Sequence, residues 1–423
     1  MEKEILEKVQ YCLNCKNPLC RTGCPLGNHI PDFIAQLKEG NFQQAYEILT
    51  QTTVLSAVCG RICPHQKQCQ GKCVRGIKGE PVSIGDLEAY VGDFALENRD
   101  SLLNCYLKQG MPKEPNNKKV AVIGGGPAGL TASAFLRKQG FQVTIYEKQN
   151  KLGGILQRGI PEFRLNKEIV QKAVAQILNL GIQVEYEKEL GKNITLEELK
   201  QKYDAVLLTI GANVPRKMVI PGEDLEGVYG GNSLLENQNH PDYTNKKVAI
   251  IGGGNVAMDC ARTIKRLGAS RVVVIYRRSE EEMPAERKEI EDAKKEGVEF
   301  LFLNNITKVL GSNHVEKIEC IKTKLVEKEG ENRKVPVDIE NSNYVMDMDY
   351  VVMAVGGKVE KEVLENSNIE MSKKKYVAIN ENNQTSCEKV FAAGDVAGTE
   401  STVAWAARDG RDVAEKIAQY LMD

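Results

Sequence analysis

The stretch Lys119-Val-Ala-Val-Ile-Gly-Gly-Gly-Pro-Ala-Gly-Leu130 decides the fold. A short apolar strand runs straight into G-x-G-x-x-G (Gly124, Gly126, Gly129), and Pro127 and Ala128 open a helical segment that ends at Gly140. Glycines at this spacing allow a tight turn, let the backbone approach a pyrophosphate, and let the helix pack closely on the strand. The helix N-terminus offers unpaired N–H groups and a positive dipole end to phosphates. A second strand, Gln142-Val-Thr-Ile-Tyr-Glu147, ends on an acid 23 residues after Gly124, where a carboxylate accepts ribose hydroxyls. A lone glycine fingerprint is a weak signal. One set inside strand, helix, strand and acid predicts a Rossmann-like α/β unit that binds a dinucleotide.

The pattern recurs at Lys247-Val-Ala-Ile-Ile-Gly-Gly-Gly-Asn-Val-Ala257, now as G-x-G-x-x-A through Gly252, Gly254 and Ala257, with Asn255 and Val256 opening the helix. The following strand, Arg271 to Tyr276, ends on Arg277 and Arg278 where the first unit has Glu147. Guanidinium groups bind a 2′-phosphate in bidentate fashion and a carboxylate repels it. The first site is therefore expected to hold FAD and the second NADP(H). The alternative for the arginines is a solvated strand end, or pairing with Glu280, Glu281 and Glu282. A third element, Lys389-Val-Phe-Ala-Ala-Gly-Asp395, places Gly394 and Asp395 at a strand end, where the acid suits a ribityl chain. Thr402 then leads into a helix through Ala404 and Arg408. The flavin fold is thus expected to be split, with the nucleotide unit inserted and the strands beginning at Ala205 and Tyr350 carrying the crossings. The expected fold class is α/β: two Rossmann-like domains preceded by an α-helical iron–sulfur domain. The expected segments are 1–116 (helical, iron–sulfur), 117–235 (FAD, first part), 236–348 (NAD(P)H) and 349–423 (FAD, second part).

The helical segment rests on cysteine spacing. Of 12 cysteines, eight fall in the first 73 residues: Cys12, Cys15, Cys20, Cys24, Cys59, Cys63, Cys69 and Cys73. The blocks read C-x2-C-x4-C-x3-C-P and C-x3-C-P-x4-C-x3-C. The opening MEKEILEKVQYC lacks the apolar core of a secretory signal, so a cytoplasmic setting is expected and disulfides are not. Zinc modules favour paired C-x2-C knuckles, often with histidine. The first block instead has the ferredoxin pattern, whose fourth cysteine, followed by Pro, serves the other cluster. Thiolates suit zinc as well, and two 4Fe-4S clusters are the preferred reading. Between the blocks, Phe33, Ile34, Leu37, Phe42, Ala45 and Leu49 recur with helical period. The polar stretch Gly110 to Lys119 reads as a linker.

These motifs together resemble the small (beta) subunit family of NADPH-dependent glutamate synthase. Relatives are the flavin subunit or N-terminal half of dihydropyrimidine dehydrogenase and the large subunit of the bifurcating NADH-dependent ferredoxin:NADP oxidoreductase. Its carriers are both cysteine blocks, Ile84-Gly-Asp-Leu-Glu88, the two glycine turns, Gly153-Gly154, Gly159-Ile-Pro-Glu-Phe-Arg164-Leu, Tyr276-Arg-Arg with Met283-Pro, and Ala393-Gly-Asp395. The resemblance implies that Cys12, Cys15, Cys20 and Cys73 hold one cluster and Cys24, Cys63 and Cys69 the other. The fourth ligand of the second falls on Glu88; counting thiolates alone would give Cys59. It further implies cofactor contacts at Lys148, Gly153, Gly154 and Arg164. The chain departs from the family at Thr209-Ile-Gly211-Ala and Gly356-Gly-Lys-Val, where flavin or hinge contacts are expected.

The chain carries Lys+Arg 57 against Asp+Glu 58 in 423 residues, a balance that excludes a nucleic-acid binder. No apolar run approaches the ~20 residues of a membrane span. The expected function is an electron-input subunit in a hetero-oligomer. It takes electrons from NADPH through FAD and the clusters to a catalytic partner, of glutamate synthase type or another electron-accepting flavoprotein or ferredoxin-like protein. The cofactors carry the chemistry, so no catalytic side chain is assigned; His240 and His314 are expected at the surface. A disulfide reductase of thioredoxin-reductase type would need a C-x2-C near the flavin, but Cys260 stands alone. A non-enzymatic iron sensor would not need two intact nucleotide fingerprints.

Overall fold

The computed structural model describes residues 2–422 apart from 329–332, 363, 365 and 366. Its contacts form two compact units, Met1–Ala212 with Val359–Asp423, and Asn213–Lys358.

In the first unit the strand Lys119–Ile123 sits in the middle of a parallel sheet. Val390–Ala392 and Ala205–Leu208 lie on one side of it, Gln142–Glu147 and Gln183–Tyr186 on the other. A strand buried on both faces needs a continuous apolar run, which Val120 to Ile123 and Ala205 to Leu208 supply; all are essentially inaccessible. The terminal helix Val403–Met422 lies against the helix Pro127–Lys138. A Cβ at Gly410 would come 2.2 Å from the Ala128 carbonyl oxygen, so only glycine permits this approach.

Short helices make up residues 2–108. The periodic segment between the cysteine blocks is two helices, Ile30–Lys38 and Phe42–Leu49, broken at Gly40 with φ +76°. Phe33, Ile34, Leu37, Ala45 and Leu49 are buried as the periodicity requires, and Phe42 is half-buried. This helical part packs on the flavin-type fold within the same unit. Tyr46 donates to Gln176 Oε1 (3.1 Å), and the Gln176 amide donates to the carbonyls of Ala95 and Asn98 (2.6 and 2.8 Å). The 110–118 stretch has no regular structure, but Arg137 donates to the Pro112 and Lys113 carbonyls.

The second unit repeats the parallel arrangement in the order Val228–Gly230, Tyr350–Met353, Lys247–Ile251, Arg271–Tyr276, Glu299–Phe302. It takes in 213–235 and 349–358, residues that the sequence reading assigns to the flavin fold, because Val228–Gly230 and Tyr350–Met353 pair into this second sheet. The chain enters and leaves it through an antiparallel ribbon, Val214–Pro215 with Gly357–Lys358. An antiparallel sheet of Asn304–Leu310, Lys317–Val326, Val335–Asp338 and Tyr344–Asp347 completes the unit.

The helices Ser56–Ile62 and Ile84–Leu96 touch backbone to backbone. A Cβ at Gly60 would lie 2.4 Å from the Ala89 nitrogen, and one at Gly92 2.3 Å from the Ala57 nitrogen. Gly92→Val must therefore separate the two helices. It is expected to cost about 2 kcal/mol or more in urea unfolding and to deplete the protein of iron. An unchanged midpoint with full iron content would contradict the contact.

Candidate functional site

The close crossing of these two helices brings Cys63, at the C-terminal cap of one and next to Cys59 within it, into reach of the charge of Glu88 on the other. The Cys59 thiol, and next burial, push the Cys63 thiol up, and the charge of Glu88 adds to the rise of Cys24, Cys63 and Cys69. Cys59, Cys63, Cys69 and Glu88 are all buried. Burial pushes Glu88 up to about 8, against a hydrogen bond from Asn28 that favours the carboxylate. That bond, Asn28 Nδ2 to Glu88 Oε1 (3.1 Å), is itself oriented by Thr52, whose hydroxyl donates to Asn28 Oδ1 (2.7 Å). Burial, and next the Glu88 charge, hold the Cys24 thiol up at about 12. A buried set of thiols and one carboxyl, whose charged forms burial disfavours, suits a cation, because bound metal favours the deprotonated forms.

Cys12, Cys15, Cys20 and Cys73 form a separate group. They line one cleft with Leu13, Pro18, Leu19 and Val74. Burial raises the Cys20 thiol to about 11, and the neighbouring thiols of Cys73, Cys12 and Cys15 add to it. All four are half-exposed, as is Cys24, whereas Cys59, Cys63 and Cys69 are buried. The two groups also differ in their apolar surroundings. Cys59 and Cys63 belong to the core that includes Val120, Leu130 and Phe135 of the parallel-sheet fold; Cys69 belongs to the core of the N-terminal helices, on which Cys12, Cys20 and Cys73 also pack, and Cys24 packs on both.

At the first glycine turn, Gly124 has φ +102° and a Cβ there would press on the Thr209 carbonyl at 2.6 Å. A Cβ at Gly129 would come 2.0 Å from the Gly124 oxygen, so glycine alone permits helix and strand to approach. Gly126 has nothing within 4 Å of such a Cβ, so the backbone is open there, as an approaching pyrophosphate requires. Glu147 accepts from the amides of Gly125 (2.8 Å) and Gln149 (2.9 Å), which fixes its carboxylate at the strand end. Gly153 donates to the Gly125 carbonyl and has φ +117°. Gly154 (φ +51°) folds over Gly126, whose Cα would be 2.9 Å from a Cβ there. Arg164 is half-buried in the loop after this turn, and Lys148 pairs with Glu360 at 3.8 Å. Gly211, with φ +75°, follows Thr209, whose hydroxyl donates to the Ile123 and Gly124 carbonyls.

Across the sheet, Gly394 (φ +76°) faces Ala128, and its amide donates to Asp409 at 3.3 Å. Asp395 Oδ1 is buried without a hydrogen-bond partner, and burial, then the Asp409 charge, push this carboxyl up to about 6. An orphaned buried acceptor beside an open glycine turn fits a ligand with hydroxyl or phosphate groups. Thr402 caps the terminal helix by accepting from the Trp405 amide.

In the second unit a Cβ at Gly252 (φ +138°) would strike the Ala354 oxygen at 2.3 Å, while Gly254 is open to within 4.0 Å of Pro284. Asn255 accepts from the Glu286 amide, Val256 is half-buried and Ala257 fully buried. Arg277 is exposed, and Arg278 donates to the Lys334 carbonyl (3.1 Å). Among the described residues neither has a carboxylate partner; Glu280 pairs with Lys294 and Glu282 accepts from Ser279. Gly356 lies in this second unit, where its carbonyl accepts from Arg216. Cys105, Cys260 and Cys320 are buried core residues and Cys387 is half-buried. His314 is exposed, while His240 is half-buried against Tyr243.

Asn28, Thr52 and Asp409 carry no motif that marks them. Each reaches its site through the fold, and only the placement of Asp409 on the helix after Asp395 hints at its role.

The family model Pyridine nucleotide-disulphide oxidoreductase matches residues 118–410, and Dihydropyrimidine dehydrogenase domain II, 4Fe-4S cluster, matches residues 1–100. The chain is 36% identical to the glutamate synthase (NADPH) small chain of Halomonas elongata, over 98% of this chain and 90% of that one. It is 35% identical to the beta subunit of the NADP(+)-dependent formate dehydrogenase of Moorella thermoacetica, over 95% of this chain and 60% of that one. Among solved structures, Mycobacterium tuberculosis FprA in complex with NADPH matches with TM-score 0.63 at 19% identity, over 73% of this chain and 85% of that one, a likeness of fold. No helix among the described residues is long and apolar enough to cross a membrane.

The folded value of Asp395, about 6, lies above its ordinary 3.8. The flavin-free fold thus keeps the proton where the unfolded chain has released it, and stability present in acid is lost as pH rises through about 6. Asp395→Asn should flatten this slope and raise the stability of flavin-free protein at neutral pH by on the order of 1–3 kcal/mol. It should also lower flavin retention. Thermal melts across pH check this; a variant no more stable than the native chain at neutral pH would contradict it.

Proposed function

The chain belongs to the glutamate synthase small-chain family of NADPH-dependent flavin and iron–sulfur oxidoreductases. On that premise we propose that it oxidises NADPH and passes the electrons through FAD and two 4Fe-4S clusters to a partner subunit. The observation that carries this reading is the division of the N-terminal ligands into two sets. One is largely buried, with Cys63 in the core of the flavin-type fold and Cys24 packed on that core as well as on the helical one; the other is half-exposed at a cleft. When bound, FAD can take a hydride from NADPH and release the two electrons singly, which suits one-electron clusters.

The residues have separable tasks. The amides of the Gly124–Gly129 turn, at the start of the Pro127–Lys138 helix, hold a pyrophosphate. Glu147 accepts from a ribose. Gly153 and Gly154 close over the turn, with Lys148, Arg164 and Gly211 at its edge. The orphan oxygen of Asp395 takes a hydroxyl or a water-bridged phosphate from the opposite side. Gly252, Gly254 and Ala257 repeat the pyrophosphate cradle in the second unit, and the exposed guanidinium of Arg277, with Arg278, receives the 2′-phosphate. Cys12, Cys15, Cys20 and Cys73 hold the outer cluster. Cys24, Cys63 and Cys69 hold the inner one with Glu88 as its fourth ligand. Glu88 is favoured over Cys59 because its charge acts on all three of those thiols and its carboxyl is oriented by Asn28, as outer-sphere partners orient metal ligands.

A catalytic subunit of glutamate synthase type is the favoured partner, given full-length similarity to small chains of that enzyme. The same electron-input role would serve another redox enzyme, as in the formate dehydrogenase relative.

Arg277→Ala with Arg278→Ala should raise the KM for NADPH at least about tenfold, the scale of one lost charge-assisted contact or more, with little change for NADH. Steady-state kinetics with both nucleotides test this, and equal effects would contradict the phosphate role. Iron per flavin separates the two ligand assignments. Cys59→Ser should keep both clusters, whereas Glu88→Ala should lose the inner one; the reverse pattern would assign Cys59.

A further inference from the structure

The outer cysteine group opens on a surface of unusual character. Tyr11, Leu13, Leu19 and Ile77 are 37%, 54%, 51% and 77% exposed, and together they are four of the exposed large hydrophobic side chains of the described chain. All four lie within four residues of an outer cysteine. Leu13 and Leu19 line the cleft itself. Arg75 lies over the Tyr11 ring at 4.2 Å and donates to the Tyr11 carbonyl at 3.0 Å, which locks the Cys12 and Cys73 segments together. Exposed apolar groups clustered beside a redox centre mark an interaction site.

Charge identifies what fits it. Residues 9–31 and 48–79, which contain all eight clustered cysteines, hold seven lysines and arginines and no aspartate or glutamate. The chain as a whole is close to neutral, so this end is positive against an otherwise acidic molecule. Lys16, Lys72 and Lys78, each within five residues of an outer cysteine, are exposed and have no carboxylate partner among the described residues; Arg21 is bonded to His29. Of the acids near these segments, Asp86 pairs with Lys8 (2.8 Å) and Asp32 with His29 (3.3 Å), and the exposed Glu80 follows the second segment.

We propose that this apolar patch with its lysine rim is the docking surface for the acidic face of an electron-accepting protein, which takes electrons from the outer cluster. The proposal rests on the electron-exit reading above and adds the place and the chemistry of the partner's face. Each NADPH oxidised to NADP+ and a proton supplies two electrons, so two one-electron acceptor molecules are reduced. Apolar contact gives such a complex its lifetime, and complementary charge sets its rate of formation and its salt dependence.

The test uses the intact holoprotein with NADPH as donor and two acceptor probes, an acidic plant-type ferredoxin and a basic cytochrome c. Flavin bleaching by NADPH is followed separately. The native protein should reduce the ferredoxin with a kcat/KM that falls steeply with salt. Lys16→Glu/Lys72→Glu/Lys78→Glu should lower that value about tenfold or more at low salt and flatten its salt dependence, with flavin bleaching unchanged. The milder Lys→Gln triple should fall between, and Ile77→Ser should raise the KM for ferredoxin without altering the salt slope. Native ferredoxin kinetics retained in the Glu triple, or a native preference for cytochrome c, would overturn the surface. Tight binding of the native protein to phosphatidylglycerol vesicles that excludes ferredoxin would also overturn it, in favour of a lipid. Failure of NADPH to bleach the flavin would instead overturn the electron-input reading.

Discussion

Two glycines set how closely the parts of the first unit can approach. Gly129 lets the helix Pro127–Lys138 rest on the Gly124 turn, and Gly410 lets the terminal helix rest on Ala128 of that same helix. Backbone meets backbone at both points, so three segments distant in sequence share one short region. The terminal helix brings the Gly394-Asp395 strand end to the open Gly126 turn. Its next residue, Arg411, donates to the carbonyls of Leu26 (2.6 Å) and Thr52 (3.3 Å), beside Cys24 and Asn28. One packing constraint thus joins the dinucleotide cradle to the inner cysteine group.

The N-terminal helices depend on their ligands more than on their cores. None of them exceeds 13 residues, a length marginal for an isolated helix. They bury thiols and one carboxyl whose charged forms burial disfavours. Bound clusters would convert that cost into cross-links, because ligand binding to a folded site is itself folding free energy. The arrangement also sorts the clusters by environment. Of the inner set, Cys63 lies in the core of the flavin-type fold and Cys24 packs on it, while the outer set meets solvent and a basic, partly apolar surface.

Both nucleotide folds were legible in the sequence because their signal is local. A glycine turn, an apolar strand and the residue ending the next strand fall within 35 residues in each unit, and the structure places Glu147 at its strand end on two backbone amides. The cysteine spacing set Cys24 apart from Cys12, Cys15 and Cys20, and the fuller division of the thiols followed from the resemblance. Long-range pairing was not legible. The strand Lys317–Val326 pairs with Asn304–Leu310, Val335–Asp338 and Tyr344–Asp347, and its mixed burial gives no clean alternation to read. The width of the second unit was missed for that reason: Val228–Gly230 is three residues long and declares itself only by pairing with Tyr350–Met353. Asn28, Thr52 and Arg411 act on groups 60, 24 and 385 residues away, a separation over which sequence carries no pattern.

The central claim is that the N-terminal cysteines form an electron exit with an inner and an outer station. It is tested most directly by Cys12→Ser, with flavin bleaching and low-temperature electron paramagnetic resonance read on the same NADPH-reduced sample. The account predicts native flavin reduction, a retained signal from the inner cluster, a missing signal from the outer one, and loss of electron delivery to a ferredoxin. Delivery at the native rate without the outer cluster would contradict it.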